Sequence, residues 1–221
     1  MTESSPLIEK MSPEAAGKAA NTLSGGGIVV IPTDTFYGLA VDPMNSRAVE
    51  RLFGLKGRDR NKPLILLTAE IEAAFRLTSE RSKAETELAR RLWPGPVTII
   101  FRADLSVPVS VTVGRGTVGL RVPASDSVRA ILRRWGGPLT APSANRQGSP
   151  PPDRVEKIDP EIIDGVDLVI DDGRLPGGAP STLLDLTVRP PRVLRPGALP
   201  ESRIADLSRE VEGLLPGRSI P

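Results

Sequence analysis

The chain has 221 residues, 39% hydrophobic and 25% charged, with 29 basic against 27 acidic side chains for a net charge of +2, and it contains neither cysteine nor histidine. That length supports one well-packed soluble domain, and the near-neutral balance argues against a large nucleic-acid footprint. The missing residues exclude disulfides, thiolate catalysis, Cys- or His-ligated metals and any imidazole acid–base step, so chemistry must rest on Lys, Arg, carboxylates, hydroxyls and backbone dipoles.

Residues 1–11 read as a flexible N-terminus. The opening Met1-Thr2-Glu3-Ser4-Ser5-Pro6 lacks the basic and apolar regions of a secretion signal. No apolar run approaches the roughly 20 residues of a bilayer span, so a cytoplasmic protein without membrane partners is expected. Ser12-Pro13 opens a helix with Ala15, Ala16, Ala19, Ala20 and Leu23 on one face, stopped by Gly25-Gly26-Gly27. Ile28–Ile31 reads as a buried strand running into Pro32-Thr33-Asp34-Thr35-Phe36-Tyr37-Gly38. Asn45 or Ser46 caps a helix to about Leu55, and the strand Leu64–Leu67 follows.

Between those two core elements lies Lys56-Gly57-Arg58-Asp59-Arg60-Asn61-Lys62-Pro63, four cations within seven residues on a connection held at both ends. Such loops project binding groups from a rigid frame. One or two helices are expected between Glu70 and Leu92, then Trp93-Pro94-Gly95-Pro96 and a strand Val97–Phe101. Val107–Val113 reads as strand or loop, Val118–Val122 as a strand, and Ser125 or Asp126 as the cap of a helix through Trp135. A strand ending at Ala141 leads into Pro142-Ser143-Ala144-Asn145. A short helix over 156–164, strands at 167–170, 182–186 and 192–194, and a helix Arg203–Leu214 complete the pattern. Alternating strands and helices with some short connections predict an α/β domain around a twisted, mixed, open sheet. The expected division is a domain over 12–200 and a short helical extension over 201–221.

Singly, each polar loop has a plain structural reading. Asp34 suits an Asx turn, Trp93–Pro96 a packing corner, and Arg121 between Leu120 and Val122 a structural ion pair. The same Arg121 fork suits a substrate carboxylate or phosphate, and Ser143 and Asn145 suit a cap or a ligand contact. No GxxxxGK[ST] loop is present and no GxGxxG opens a helix.

Together and in this order, Pro32–Leu39, Lys56-Gly57-Arg58, Lys62-Pro63-Leu64, Trp93–Thr98, Arg121-Val122-Pro123, Ser143-Ala144-Asn145 and Ser181-Thr182 closely resemble the YrdC-like family of L-threonylcarbamoyl-AMP synthases. The resemblance extends from about Gly25 to Gly197. It implies a helix-flanked mixed sheet with a concave, positively charged cleft, and a reaction in which L-threonine, bicarbonate and ATP give threonylcarbamoyl-adenylate and diphosphate. It also implies a downstream tRNA threonylcarbamoyl-transferase complex as partner and Mg2+ held mainly through ATP; tRNA or double-stranded RNA would be the ligand on the RNA-binding reading below. Carried onto this chain, it puts Thr33, Thr35, Arg121, Ala141 and Ser181 around threonine. Lys56, Arg58, Asn61, Lys62, Thr117, Ser143, Asn145 and Arg195 fall around ATP, with Lys56, Arg58 and Lys62 offsetting triphosphate charge. Asp34 either orients Mg2+ or fixes its loop.

Three positions depart from the family pattern: Leu67 where a histidine is common, Arg146-Gln147-Gly148 after the Ser-Ala-Asn motif, and Pro180 where an acid commonly precedes Ser-Thr. The competing readings are a related carbamoyl- or adenylyl-transfer enzyme acting on another amino acid, which Leu67 keeps open, and a non-catalytic RNA-binding module. Aromatic content of 3% leaves few stacking platforms for the latter.

Overall fold

The computed structural model describes residues 6–214, with side chains to 212. The strands run β1 (Leu7–Lys10), β2 (Val29–Ile31), β3 (Gly38–Ala40), β4 (Ile65–Leu67), β5 (Val97–Arg102), β6 (Thr117–Arg121), β7 (Leu139–Thr140), β8 (Leu168–Asp171), β9 (Thr182–Asp185) and β10 (Arg192–Arg195). The helices are α1 (Pro13–Ser24), α2 (Ser46–Lys56), α3 (Ile71–Phe75), α4 (Lys83–Leu92), α5 (Val109–Thr112), α6 (Asp126–Trp135), α7 (Pro160–Gly165) and α8 (Glu201–Leu214).

Parallel and antiparallel pairs mix as expected, but they build two sheets rather than one: β1-β8-β2-β3 and β10-β9-β5-β6-β4-β7. The sheets meet at a seam between β3 and β7. There Thr140 donates its N–H to the Val41 carbonyl at 3.1 Å and accepts the Val41 N–H on its hydroxyl at 3.0 Å. A side-chain oxygen standing in for a backbone carbonyl interrupts the ladder. Leu39 N–H to Pro142 O, at 2.8 Å, continues the junction.

The apolar strand runs have no polar face because both faces are covered. Val29 and Ile31 of β2, with Leu168 and Ile170 of β8, pack toward α1 and α6. The intervening Val30 and Val169 belong to the larger core on the opposite face. Each such fully buried side chain contributes about 1.5–3 kcal/mol, and the period of two fixes the register.

Two regions differ from the sequence reading. Part of the N-terminal segment expected to be flexible is β1, paired parallel to β8 from Leu7↔Leu168 to Lys10↔Asp171, while residues 1–5 lie outside the described residues. This strand sits at the sheet edge with Leu7 and Ile8 both half exposed, so it carries no alternation to read. Val107–Val113 holds the short helix α5 instead of a strand, burying Val111 and Thr112 and ending at Val113 with φ 48°. Of the one or two helices expected between Glu70 and Leu92 two form, α3 and α4, and the last helix starts two residues earlier than expected.

Candidate active site

A cavity of about 190 Å³ opens at the seam between the sheets. The β2–β3 loop supplies Thr33, Thr35 and Tyr37. The end of α2 supplies Lys56 and Arg58, and β6 supplies Arg121. Ala141 and Ser143 follow β7, Ser181 precedes β9, and Arg195 ends β10. The lining therefore carries four basic side chains and, among the described residues, no acidic one.

The β2–β3 loop is built by its own hydroxyl. Thr33 Oγ1 accepts the N–H groups of Thr35 (3.2 Å) and Phe36 (3.3 Å), donates to the Phe36 carbonyl at 2.6 Å, and lies 3.3 Å from Thr35 Oγ1. The turn expected of Asp34 is thus made by Thr33. Asp34 points across the fold, accepting the Ala124 N–H at 3.4 Å and facing Arg121 Nη2 at 2.5 Å. The last contact lacks hydrogen-bond alignment on either atom, so the two groups pair by charge. The Arg121 Nε–H donates to Gly95 O at 3.1 Å. Among the described residues no protein acceptor meets its Nη1, and Arg121 lines the cavity at 6% exposure.

The Trp93–Pro96 corner is structural, as its residue types suggest. The Trp93 ring packs at a tilt against Phe75 and Phe101 with centroids 6.5 and 6.0 Å away, and its Nε1–H donates to Val97 O. Gly95 then ties this corner to β6 from both sides, donating to Val122 O and accepting from Arg121.

Lys56 is the last residue of α2, where helix-end carbonyls favour a cation, and Gly57 reverses the chain with φ 59°. Its ammonium is 4% exposed as a residue and spends three protons inside the protein, on Ser143 O (2.6 Å), Asn145 O (2.6 Å) and Asn145 Oδ1 (3.0 Å). Burial first, and the Arg58 charge second, pull its pKa down to about 8. Ser143 Oγ also donates to Asn145 Oδ1, while the Asn145 amide donates to Arg146 O and Ser149 O. Lys56 and Asn145 therefore hold the Ser143 loop in place. Arg58 is held by its own loop, donating to Pro63 O at 2.7 Å, and Arg195 donates to Ser181 O at 2.8 Å. That approach requires glycine at 197, because a Cβ there would stand 2.3 Å from Pro180 O.

Four expected site residues stay off the cavity lining: Asn61, Lys62, Thr117 and Asn145. Asn145 is buried behind Ser143. Asn61 and Lys62 are exposed on the cationic loop, Thr117 is half-buried, and none of these three side chains hydrogen-bonds within the described protein. Thr117 shares a face of β6 with Arg121, four residues and about 13 Å away at roughly 3.3 Å per residue. Gly119 lies between them on that face and leaves it bare.

The lining also includes Ile65, which no motif marked, together with Leu67 and Pro180, two of the departures from the family pattern, and Thr98, the last residue of the Trp93–Thr98 motif. Thr98 is fully buried and bonds Ser181 Oγ at 2.8 Å. Its signal in the sequence was a lone hydroxyl within the apolar run Val97–Phe101.

Comparison with known proteins gives this geometry a lineage. The chain is 36% identical over 193 residues to the threonylcarbamoyl-AMP synthase of Pyrococcus abyssi, covering 87% of this chain and 57% of that protein. It is 35% identical over 189 residues to the putative threonylcarbamoyl-AMP synthase of Mycobacterium tuberculosis, covering 86% and 87%. The chain thus spans little more than half of the first relative and nearly all of the second. The crystal structure of P. abyssi Sua5 complexed with L-threonine superposes with a TM-score of 0.87 at 33% identity, covering 92% of this chain and 61% of that one. The family model that joins Sua5, YciO and YrdC, described as telomere recombination, matches residues 21–197. With most of the chain matched and the same sheets flanked by helices, this protein belongs to the Sua5/YciO/YrdC family.

Proposed function

We propose that this chain makes L-threonylcarbamoyl-adenylate and diphosphate from L-threonine, bicarbonate and ATP, water being released as bicarbonate supplies CO2. The observation that carries the reading is the convergence of six separate motif segments on one cavity, with four cations against a lining free of carboxylates among the described residues. The names of the relatives support it. Threonine's amine takes up CO2 as a carbamate, and a carbamate oxygen then attacks the α-phosphorus as diphosphate leaves. The nucleophile is already anionic, so a site without histidine needs no base for the transfer. Positioning and charge stabilisation dominate such transfers, and orientation alone is worth effective molarities of about 10⁵–10⁸ M.

Arg121 presents its Nη1 to the amino acid's carboxylate, with Thr33, Thr35, Ala141 and Ser181 around the rest. ATP lies along the bare face of β6 toward Thr117, within reach of Arg58, Ser143, Arg195 and the exposed Asn61 and Lys62. Lys56 and Asn145 act through the Ser143 loop that they hold. Mg2+ accompanies the nucleotide. Among the described residues no group of three or more carboxylates gathers as a cage, and Asp34 is engaged with Arg121. Asp34 is therefore given the role of fixing its loop against Arg121.

The adenylate is a reactive mixed anhydride, so a transferase complex acting on tRNA is its fitting consumer. No helix of the described residues is long and apolar enough to cross a membrane. The test is diphosphate release with and without L-threonine at fixed bicarbonate and Mg2+, beside serine and glycine, with the product's mass measured. Threonine-dependent release of that mass is the expected result. Release independent of any amino acid, or none at all, defeats the proposal, and salt-sensitive tRNA binding without turnover points to the RNA-binding alternative.

A further inference from the structure

The β8–β9 connection, Asp172–Ser181, forms one wall of the cavity and contributes Pro180 and Ser181 to it. It has little core of its own. Between Asp172 and Pro180 only Leu175 is buried, and Gly173, Gly177 and Gly178 take positive φ of 70°, 66° and 79°. What holds it lies outside it. Leu175 donates its N–H to Asp153 O at 2.7 Å, and Gly177 donates to Thr35 O at 2.8 Å. The Tyr37 hydroxyl accepts the Asp172 N–H at 3.0 Å, donates to Gly173 O at 2.7 Å, and stands 3.2 Å from Asp171 Oδ1.

Tyr37 is fully buried, and its backbone is fixed too, donating to Pro152 O at 2.9 Å and accepting the Ala144 N–H at 2.7 Å. A phenylalanine would fill the same apolar space, so the hydroxyl needs its own explanation. Burial above all, with the carboxylates of Asp171 and Asp172 adding to it, raises the phenol's pKa far above its ordinary value. It therefore remains protonated at working pH and has no use as a base.

We propose that Tyr37 is a positioning residue for the amino-acid half of the site: its hydroxyl fixes the Asp172–Ser181 connection against the Thr35 loop and so sets Pro180 and Ser181 across the cavity from Thr33 and Thr35. The Ser143 loop moves with the same residue, because Ala144 hangs on its carbonyl. The inference rests on the synthase reading for its kinetic consequence, but not for its geometry.

Tyr37→Phe keeps the ring and removes only the oxygen. Amide exchange over 172–178 should accelerate roughly tenfold, as for loss of an ordinary hydrogen bond in a locally opening segment, while α1 and β2 stay unchanged. In turnover, KM for threonine should rise roughly five- to tenfold with kcat within about twofold, the pattern of lost binding rather than lost chemistry. Should Tyr37→Phe fold poorly, Leu175→Ala, which frees the loop from its apolar plug and leaves the phenol intact, should show the same KM shift at constant kcat. Unchanged exchange overturns the proposal, as does a loosened loop with an unchanged threonine KM, or a fall in kcat that merely follows the folded fraction. If the wild-type protein turns over no amino acid, the synthase reading fails by itself, and the latch stands or falls on exchange alone.

Discussion

The floor of the cavity and its cationic rim are built by opposite rules. On the floor, Thr33, Lys56, Arg121 and Ser181 are all under 9% exposed, and each is fixed by at least one protein partner. On the rim, Asn61 and Lys62 are exposed and their side chains make no protein hydrogen bond among the described residues. A floor of this kind is ordered before any ligand arrives, so binding there costs little additional entropy. The rim keeps its charge hydrated and can gain partners only from outside. Under the proposed function the small substrate belongs to the floor and the polyanion to the rim, and that reading predicts that floor substitutions damage folding and turnover together whereas rim substitutions damage turnover alone.

The sharpest test of the floor is Arg121→Ala. It leaves the Asp34 carboxylate 14% exposed without its cation, a loss of about 3–5 kcal/mol in stability by analogy with broken buried pairs. Threonine-dependent turnover should fall by roughly 100-fold or more, as when a preorganised charged donor is removed. Removing both partners in Asp34→Ala/Arg121→Ala should restore much of the denaturation midpoint and none of the turnover. A double variant that turns over normally would show that Arg121 serves only the ion pair.

Lys56→Met comes next. It strips three acceptors of their donor and should cost about 2 kcal/mol in stability, with turnover reduced roughly tenfold through a displaced Ser143 loop. Alkaline pH removes only the charge and one of the three protons, and its effect on stability has the opposite sign. With a folded-state pKa of about 8 against an ordinary 10.5, the folded chain releases a proton that the unfolded chain still holds. Stability from this group is therefore lowest below pH 8 and grows as pH rises toward 10.5, since stability rises wherever the unfolded state binds more protons. Turnover should move the other way across pH 8, because a neutral amine has two protons for three acceptors. Urea midpoints and initial rates at pH 7.5 and 9.5 should diverge in the wild-type protein. Parallel trends, or the same divergence in Lys56→Met, would locate the titration elsewhere.

The same contrast governs what could be read from sequence. The floor was legible where polar motifs follow buried apolar runs, since Ile28–Ile31 and Leu64–Leu67 announce strands whose ends must hold Thr33 and frame Arg58. Contacts made across the chain were not. Asp34 pairs with Arg121 across 87 residues, Tyr37 with Gly173 across 136 and Thr98 with Ser181 across 83, and no local pattern encodes such partners. Alternating Val109, Val111 and Val113 resemble a strand, yet Pro108 leads into α5, whose Val111 carbonyl accepts the Leu64 N–H. Tertiary pairing overrode β propensity there. The seam was hidden in one hydroxyl, because nothing in Leu139-Thr140 marks Thr140 as a substitute for a carbonyl.

Lys62→Ala is the gentlest substitution and addresses the rim by itself. Its ammonium has no protein partner among the described residues, so its removal should leave stability within about 0.5 kcal/mol. A single exposed cation facing phosphate is worth little in salt and more without it, since the screening length is about 10 Å at 0.1 M and about 30 Å at 0.01 M. KM for ATP should therefore rise roughly threefold at low ionic strength, and the difference from wild type should shrink as salt is added. KM for threonine should not move, because the floor is intact. A threonine effect equal to the ATP effect would show that floor and rim are one site and not two. A complete absence of effect at low salt would place the phosphates on Arg58 and Arg195 and leave Lys62 as a solvated turn.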